Sequence, residues 1–320
     1  MNAKTPIRPM DDAAINDAAK IIRGGGLVAF ATETVYGLGG DAANADAVAR
    51  IYAAKGRPSF NPLISHVADI AAIEEIAVMD DRARALANAF WPGPLTLVLN
   101  KSDGCRVSEL TTAGLSTVAV RIPARPRARA FLDACGVPVA APSANASGGI
   151  SPTTAAHVAA SLPGPDGGGP ALILDDGPCA VGLESTVVDL SAAQATLLRP
   201  GGIGREDIEG ITGPLAIAGS DDHAPKSPGM MSRHYAPNAR LRINADAPGP
   251  DEVFLGFGDI HTPGGDNLSP SGDLTEAAAN LFRMLHACDD AGVSAIAVAP
   301  IPETGLGLAI NDRLRRAVRS

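Results

Sequence analysis

Short β-branched runs alternate with capped helical segments over the first two thirds of the chain, and that alternation restricts the fold to helices packed on a sheet. LVAFA (27–31), LTLVL (95–99), STVAVRIP (116–123), ALILDD (171–176), STVVDL (185–190) and ATLLRP (195–200) each read as a strand. Further strands are expected at 63–67 and, briefly, in VPVAAPSAN. Between them the pattern predicts helices at 13–23, 44–54, 69–77, 80–90 and 125–135. The first is capped by Asp11 or Asp12 and stopped by Gly24-Gly25-Gly26. GLGGDA, after ATETVY, reads as a Gly-rich turn, and LPGPDGGGP (162–170) as an exposed loop.

From about residue 213 the composition shifts to Gly, Pro, Ser, Asp and His, and the alternation restarts at 238. Strands are expected at 239–243 and 252–257, a helix at 273–290, a strand in SAIAVAPI and a helix over 309–319. The organisation is thus an α/β domain over 1–212, a linker over 213–237 and a small α/β domain over 238–320. A length of 320 residues suits two domains. Aromatics are only 3% of the chain, so the core must be built from Ala, Val, Leu and Ile.

The formal charge is −9, which argues against non-specific nucleic-acid binding, although Arg121, Arg125, Arg127 and Arg129 cluster locally. Cys105, Cys135, Cys179 and Cys288 form no CxxC or CxxH pattern. Neither a disulfide framework nor a zinc site is expected, and a reducing cytoplasm is the natural setting. The N-terminus has no signal-peptide apolar core, and no run approaches the about 18 apolar residues of a membrane span.

Two stretches carry most of the chemistry. KGRPSFNPL (55–63) sets Lys55 and Arg57 two apart, with Pro58 and Pro62 stiffening the loop around Asn61. APSANASG (141–148) gathers Ser143, Asn145 and Ser147 in a turn closed by glycines. Cationic forks and neutral donors on rigid loops suit a polyphosphate. The same residues also make solvated faces and ordinary turns. His66, in PLISHV, reads as a satisfied core residue or a substrate ligand. Arg121, inside the apolar VAVRIP, needs an anion: a substrate carboxylate or an internal Asp or Glu. A loose GxGxxA at Gly37, Gly39 and Ala42 is a poor dinucleotide fingerprint, and no GxxxxGK[ST] string occurs. His234 and Tyr235, in SPGMMSRHYAP, give the linker more than a spacer needs.

In this order and spacing, KGRPSFNPL, APSANASG, GLESTVVDL, LLRPG and SPGMMSRHYAP resemble threonylcarbamoyl-AMP synthases of the long form. PGPLTLVL (92–99) and ETGLGLAINDRLRRA (303–317) extend the resemblance over almost the whole chain. It implies a YrdC-like twisted mixed sheet flanked by helices, with a concave active site, plus a small Rossmann-like C-terminal domain. The implied reaction converts L-threonine, bicarbonate or CO2, and ATP into L-threonylcarbamoyl-AMP and pyrophosphate, the first step of tRNA threonylcarbamoyladenosine modification. Mg2+ accompanies ATP, with no metal held by protein side chains. The resemblance also implies a downstream tRNA threonylcarbamoyl transferase complex that takes the product, and a weak tRNA contact.

The resemblance assigns Thr34, His66, Arg121, Ala141 and Ser185 to threonine, with Arg121 on its carboxylate and Ala141 acting through its backbone. It assigns Lys55, Arg57, Asn61, Thr117, Ser143, Asn145, Ser151, Arg199, His234 and Tyr235 to ATP. Lys55 and Arg57 carry the catalytic charge neutralisation, and His234–Tyr235 folds back as a lid. Ser65, where the family more often has Val, is expected on the opposite strand face from His66. The rival readings are a non-catalytic RNA-binding module of the same fold and carbamoyl-adenylate chemistry of the hydrogenase-maturation type. The global charge and the lack of stacking aromatics oppose the first; the absence of acylphosphatase and zinc-finger segments opposes the second.

Overall fold

The computed structural model describes residues 4–219, 227 and 234–318. The first half runs β1 (Ile7–Pro9), α1 (Asp12–Arg23), β2 (Val28–Phe30), β3 (Gly37–Asp41), α2 (Ala45–Lys55), β4 (Ile64–His66), α3 (Ile70–Glu74), α4 (Asp81–Phe90) and β5 (Leu95–Asn100). It continues through β6 (Thr117–Arg121), α5 (Pro126–Cys135), β7 (Val139–Ala140), α6 (Ala155–Ser161), β8 (Leu172–Asp175), β9 (Thr186–Asp189), β10 (Thr196–Arg199), α7 (Arg205–Thr212) and β11 (Ala216–Ile217). The remainder is β12 (Arg240–Arg242), β13 (Val253–Leu255), α8 (Leu274–Asp290), β14 (Ala295–Val298) and α9 (Leu306–Val318).

These strands form a mixed sheet of eleven, ordered β1-β8-β2-β3-β7-β4-β6-β5-β9-β10-β11, and a parallel sheet of three, β12-β14-β13. In the smaller sheet α8 is the crossover between β13 and β14, a Rossmann-like unit. In the larger one α1 and α5 bury Ile15, Ile22, Phe131 and Leu132 against Val28, Phe30, Leu172 and Leu174. Helices α2 to α4 and α7 pack into a second layer around Ile51, Leu86, Leu97 and Val120. The concave face left between carries the polar side chains described below.

Local chemistry explains the element ends. Asp11 accepts the Ala14 amide at 2.8 Å, so α1 starts one residue later. Asn44 caps α2 in the same way, and Gly56, at φ +61°, closes it in the left-handed region that glycine favours.

Three expectations are corrected. The Gly-rich segment after ATETVY is a strand, β3, and not a turn. A Cβ on Gly39 would lie 2.9 Å from Val139 Cγ1, and one on Gly40 3.1 Å from both Ile51 and Leu27 side chains. The glycines are there because neighbours on both faces leave no room, which also disposes of the dinucleotide fingerprint. β1, α6 and α7 were not anticipated, and a 3-10 turn at Pro165–Gly167 lies inside the expected 162–170 loop. β11, in the segment expected to be linker, adds the edge strand of the large sheet beside β10. SDDHAPK and most of SPGMMSR lie outside the described residues.

The small unit is seated on the large one. Val35, Ile150 and Leu183 join a core with Phe254, Leu281, Phe282 and Leu285. At Gly182 the backbone approaches α8 so closely that a Cβ would fall 2.5 Å from the Ala279 Cα. Among the described residues no helix is long and apolar enough to cross a membrane.

Candidate active site

β4 and β6 pair in parallel with His66 opposite Arg121, and the two-residue alternation of a strand turns both side chains to the concave face. Ile64 and Ala119 share that face, while the fully buried Ser65 points away from it, as expected. Beside them the chain leaving β2 brings Thr32, Glu33 and Thr34. Arg121 is only 3% exposed and is held on three sides. Its Nε donates to the Gly93 carbonyl at 3.2 Å, one terminal nitrogen to Thr34 Oγ1 at 3.0 Å, and the other to Glu33 Oε1. Of the two alternatives for Arg121, the structure shows the internal acid. That acid is Glu33, and the three bonds engage three of the five guanidinium N–H groups.

Ser185, at the entry to β9, lies 2.7 Å from Thr96 Oγ1 through its own hydroxyl, and the same oxygen accepts from Arg199 at 3.1 Å. Ala141 hydrogen-bonds through its amide to the Ile64 carbonyl at 3.0 Å. Burial, and then the charge of Arg121, push the His66 pKa down to about 3, so its imidazole is neutral near pH 7. Thr34, His66, Arg121, Ala141 and Ser185 all line one cavity.

Of the expected nucleotide set, Arg57, Ser143, Arg199, His234 and Tyr235 line that same cavity. Arg57 spans the loop after α2, donating to the Asn61 and Pro62 carbonyls at 3.4 and 3.2 Å. Burial brings its pKa to about 10, which leaves it cationic at neutral pH. Lys55 stands one step behind. Its ammonium donates to the Ser143 carbonyl at 2.6 Å and to that of Asn145, tying α2 to the APSANASG loop. Burial, and then Arg57, hold its pKa well below the usual lysine value. Asn145 donates to the Ala146 and Gly149 carbonyls, so it shapes the turn. Thr117 sits at the far end of β6, on the face of Arg121 but about 13 Å along the strand, a span only an extended ligand covers.

His234 and Tyr235 close the cavity, ring against ring at 4.0 Å. Burial takes the His234 pKa down to about 3, and its Nδ1 has no hydrogen-bond partner among the described residues. Ser151 donates its hydroxyl to Glu184 Oε1.

The motifs missed Glu33, Glu184 and Arg313. Glu184 Oε2 accepts from Arg313 Nε at 2.8 Å, a pair reaching from the large sheet to α9. Burial alone would raise the Glu184 carboxyl, but Arg313, Arg199 and the Ser151 bond bring it down to about 2. A signal existed for each: an acid inside an apolar motif, and an arginine on the Ile310–Leu314–Ala317 stripe of a helix. Buried charges of that kind require partners. Among the described residues, no group of three or more His, Cys, Asp or Glu side chains is arranged to hold a metal ion.

The fold and cavity are those of an enzyme built on a YrdC-like sheet with a covering C-terminal unit. Residues 20–201 match the Sua5/yciO/yrdC family model, described as telomere recombination. Residues 203–318 match the one described as threonylcarbamoyl-AMP synthase, C-terminal domain. The threonylcarbamoyl-AMP synthase of Bacillus subtilis is 42% identical over 332 aligned residues, covering 96% of this chain and 93% of its own. That of Pyrococcus abyssi is 42% identical over 331, covering 96% and 95%. The crystal structure of P. abyssi Sua5 complexed with L-threonine superposes with a TM-score of 0.87 at 40% identity, covering 99% of this chain and 97% of that one. The chain belongs to the threonylcarbamoyl-AMP synthase family, in its long form, and is an enzyme making L-threonylcarbamoyl-AMP.

Proposed function

We propose that the cavity works by nucleotidyl transfer, with L-threonine on the Arg121 side and ATP on the Arg57–Arg199 side. The carrying observation is that residues of both sets line one cavity, the neutral His66 opposite Arg121 in the β4–β6 register and His234 and Tyr235 beside Arg57 and Arg199. The threonine carboxylate takes the remaining N–H groups of Arg121, and its amine lies towards the neutral His66. The amine captures CO2 as a carbamate, releasing a proton. A carbamate oxygen attacks the α-phosphorus, and pyrophosphate departs. No covalent enzyme intermediate is needed, so positioning and charge neutralisation carry the rate. Arg57 and Arg199 meet the phosphates, while Lys55 acts mainly by fixing the Ser143–Asn145 loop. His234 and Tyr235 exclude water from the mixed anhydride.

Mg2+ fits as part of the ATP complex. The acid among the lining residues, Glu184, is occupied by Ser151 and Arg313, so the ion would be held through the phosphates and not by a protein carboxylate. The ion would spread charge over the phosphates. Passage of the product to a tRNA threonylcarbamoyl transferase complex, a weak tRNA contact and a cytoplasmic location belong to the same reading.

Pyrophosphate release tests it. Release is expected to need both threonine and bicarbonate; release indifferent to threonine would overturn the assignment of the two halves.

A further inference from the structure

Arg313 lies on α9, at the far end of the chain, yet it is 1% exposed and reaches the cavity wall. Its Nε meets Glu184, one terminal nitrogen meets Asp312 at 2.6 Å, and the other donates to the Pro200 carbonyl at 3.0 Å, next to Arg199. Its guanidinium carbon stands 5.0 Å from the centroid of the Tyr235 ring. Tyr235 also stacks on Phe282 of α8, 5.6 Å between centroids. Tyr235 also adopts φ +66°, a left-handed backbone that a bulky residue keeps only where its surroundings hold it there.

We propose that Glu184 and Arg313 form a positioning pair through which the C-terminal unit holds Tyr235 as the roof of the nucleotide half-site. This rests on the reading of the cavity given above. The cation over the ring, together with the stacked Phe282, fixes the plane of Tyr235. Glu184 keeps that cation in place and, through Ser151 and its neighbour Ser185, ties the roof to the floor. A purely structural contact between two domains is served by apolar packing, which costs no desolvation of charge. A buried pair whose acid lines the cavity and whose cation lies over the roof is better explained by orientation.

The test uses the full chain carrying Glu184→Gln together with Arg313→Met. Both charges go, the volumes stay close, and no charge is stranded, so the variant avoids the folding failure expected of Arg313→Met alone. KM for ATP, and Kd for a non-hydrolysable ATP analogue, are expected to rise about tenfold to a hundredfold while KM for threonine stays within about twofold. More pyrophosphate should appear per threonylcarbamoyl-AMP recovered, because water reaches the anhydride. Adding Tyr235→Ala should produce little further loss, since the pair acts through that ring. Unchanged ATP affinity, equal losses for ATP and threonine, or losses that multiply with Tyr235→Ala would overturn the proposal. The wild-type chain, assayed alongside, separates the two ideas: absent threonine-dependent release there sinks the synthase mechanism, whereas analogue binding still reports on the roof.

Discussion

Arg121 shows how one side chain can be both structural and available. Glu33 Oε1 takes one terminal nitrogen while Oε2 accepts the Ala124 amide at 2.9 Å, so the backbone anchors the carboxylate that orients the guanidinium. Thr34 and Gly93 fix the remaining directions. A lysine has no planar fork and cannot serve these three partners and a ligand together. Arg121→Lys is therefore expected to raise KM for threonine by about tenfold to a hundredfold at saturating ATP, with much less effect on KM for ATP. Equal effects on the two substrates in steady-state assays would contradict the placement of Arg121.

β3 shows what short elements demand of their neighbours. Its glycines sit between Phe30, Val139, Leu27 and Ile51 with no space for a side chain. Gly39→Val is expected to destabilise the protein by about 1–3 kcal/mol through overpacking, read from chemical denaturation. An unchanged midpoint would mean the sheet relaxes there. The same strand marks where the sequence stops being legible. β5, β6 and β9 announce themselves through β-branched runs, and α1 and α2 through their Asp and Asn caps. β3 is selected by the shape of its surroundings, which a local pattern does not contain. The site divides in the same way. Thr34, His66, Arg121 and Ser185 stand in contiguous motifs. Glu184 and Arg313 are 129 positions apart, and only the docking of α9 brings them together.

At the scale of the whole molecule, the seam between the two units holds a pair of histidines. His157 of α6 stacks on His286 of α8, 3.8 Å between ring centroids. His286 Nε2 donates to the Ser151 carbonyl at 3.1 Å, and His157 Nδ1 accepts the Thr153 amide at 3.3 Å. Burial, then the proximity of His286, take the His157 pKa down to about 4, and burial lowers that of His286 despite Asp289 and Asp290 nearby. Both rings fold neutral. Between about pH 6.5 and 4 the unfolded chain binds protons that the folded one does not, so stability falls as pH falls. His66 and His234, at about 3, act in the same direction. The melting temperature is expected to drop from pH 7 to pH 5, with a shallower slope in His157→Gln. Identical slopes would show that the seam does not contribute.

The central claim is that one cavity joins a threonine carbamate to an adenylate. The most direct measurement is mass spectrometry of the product formed from ATP, threonine and 13C-bicarbonate. The account predicts L-threonylcarbamoyl-AMP carrying the heavy carbon; AMP alone, or an adenylate without the label, would contradict it.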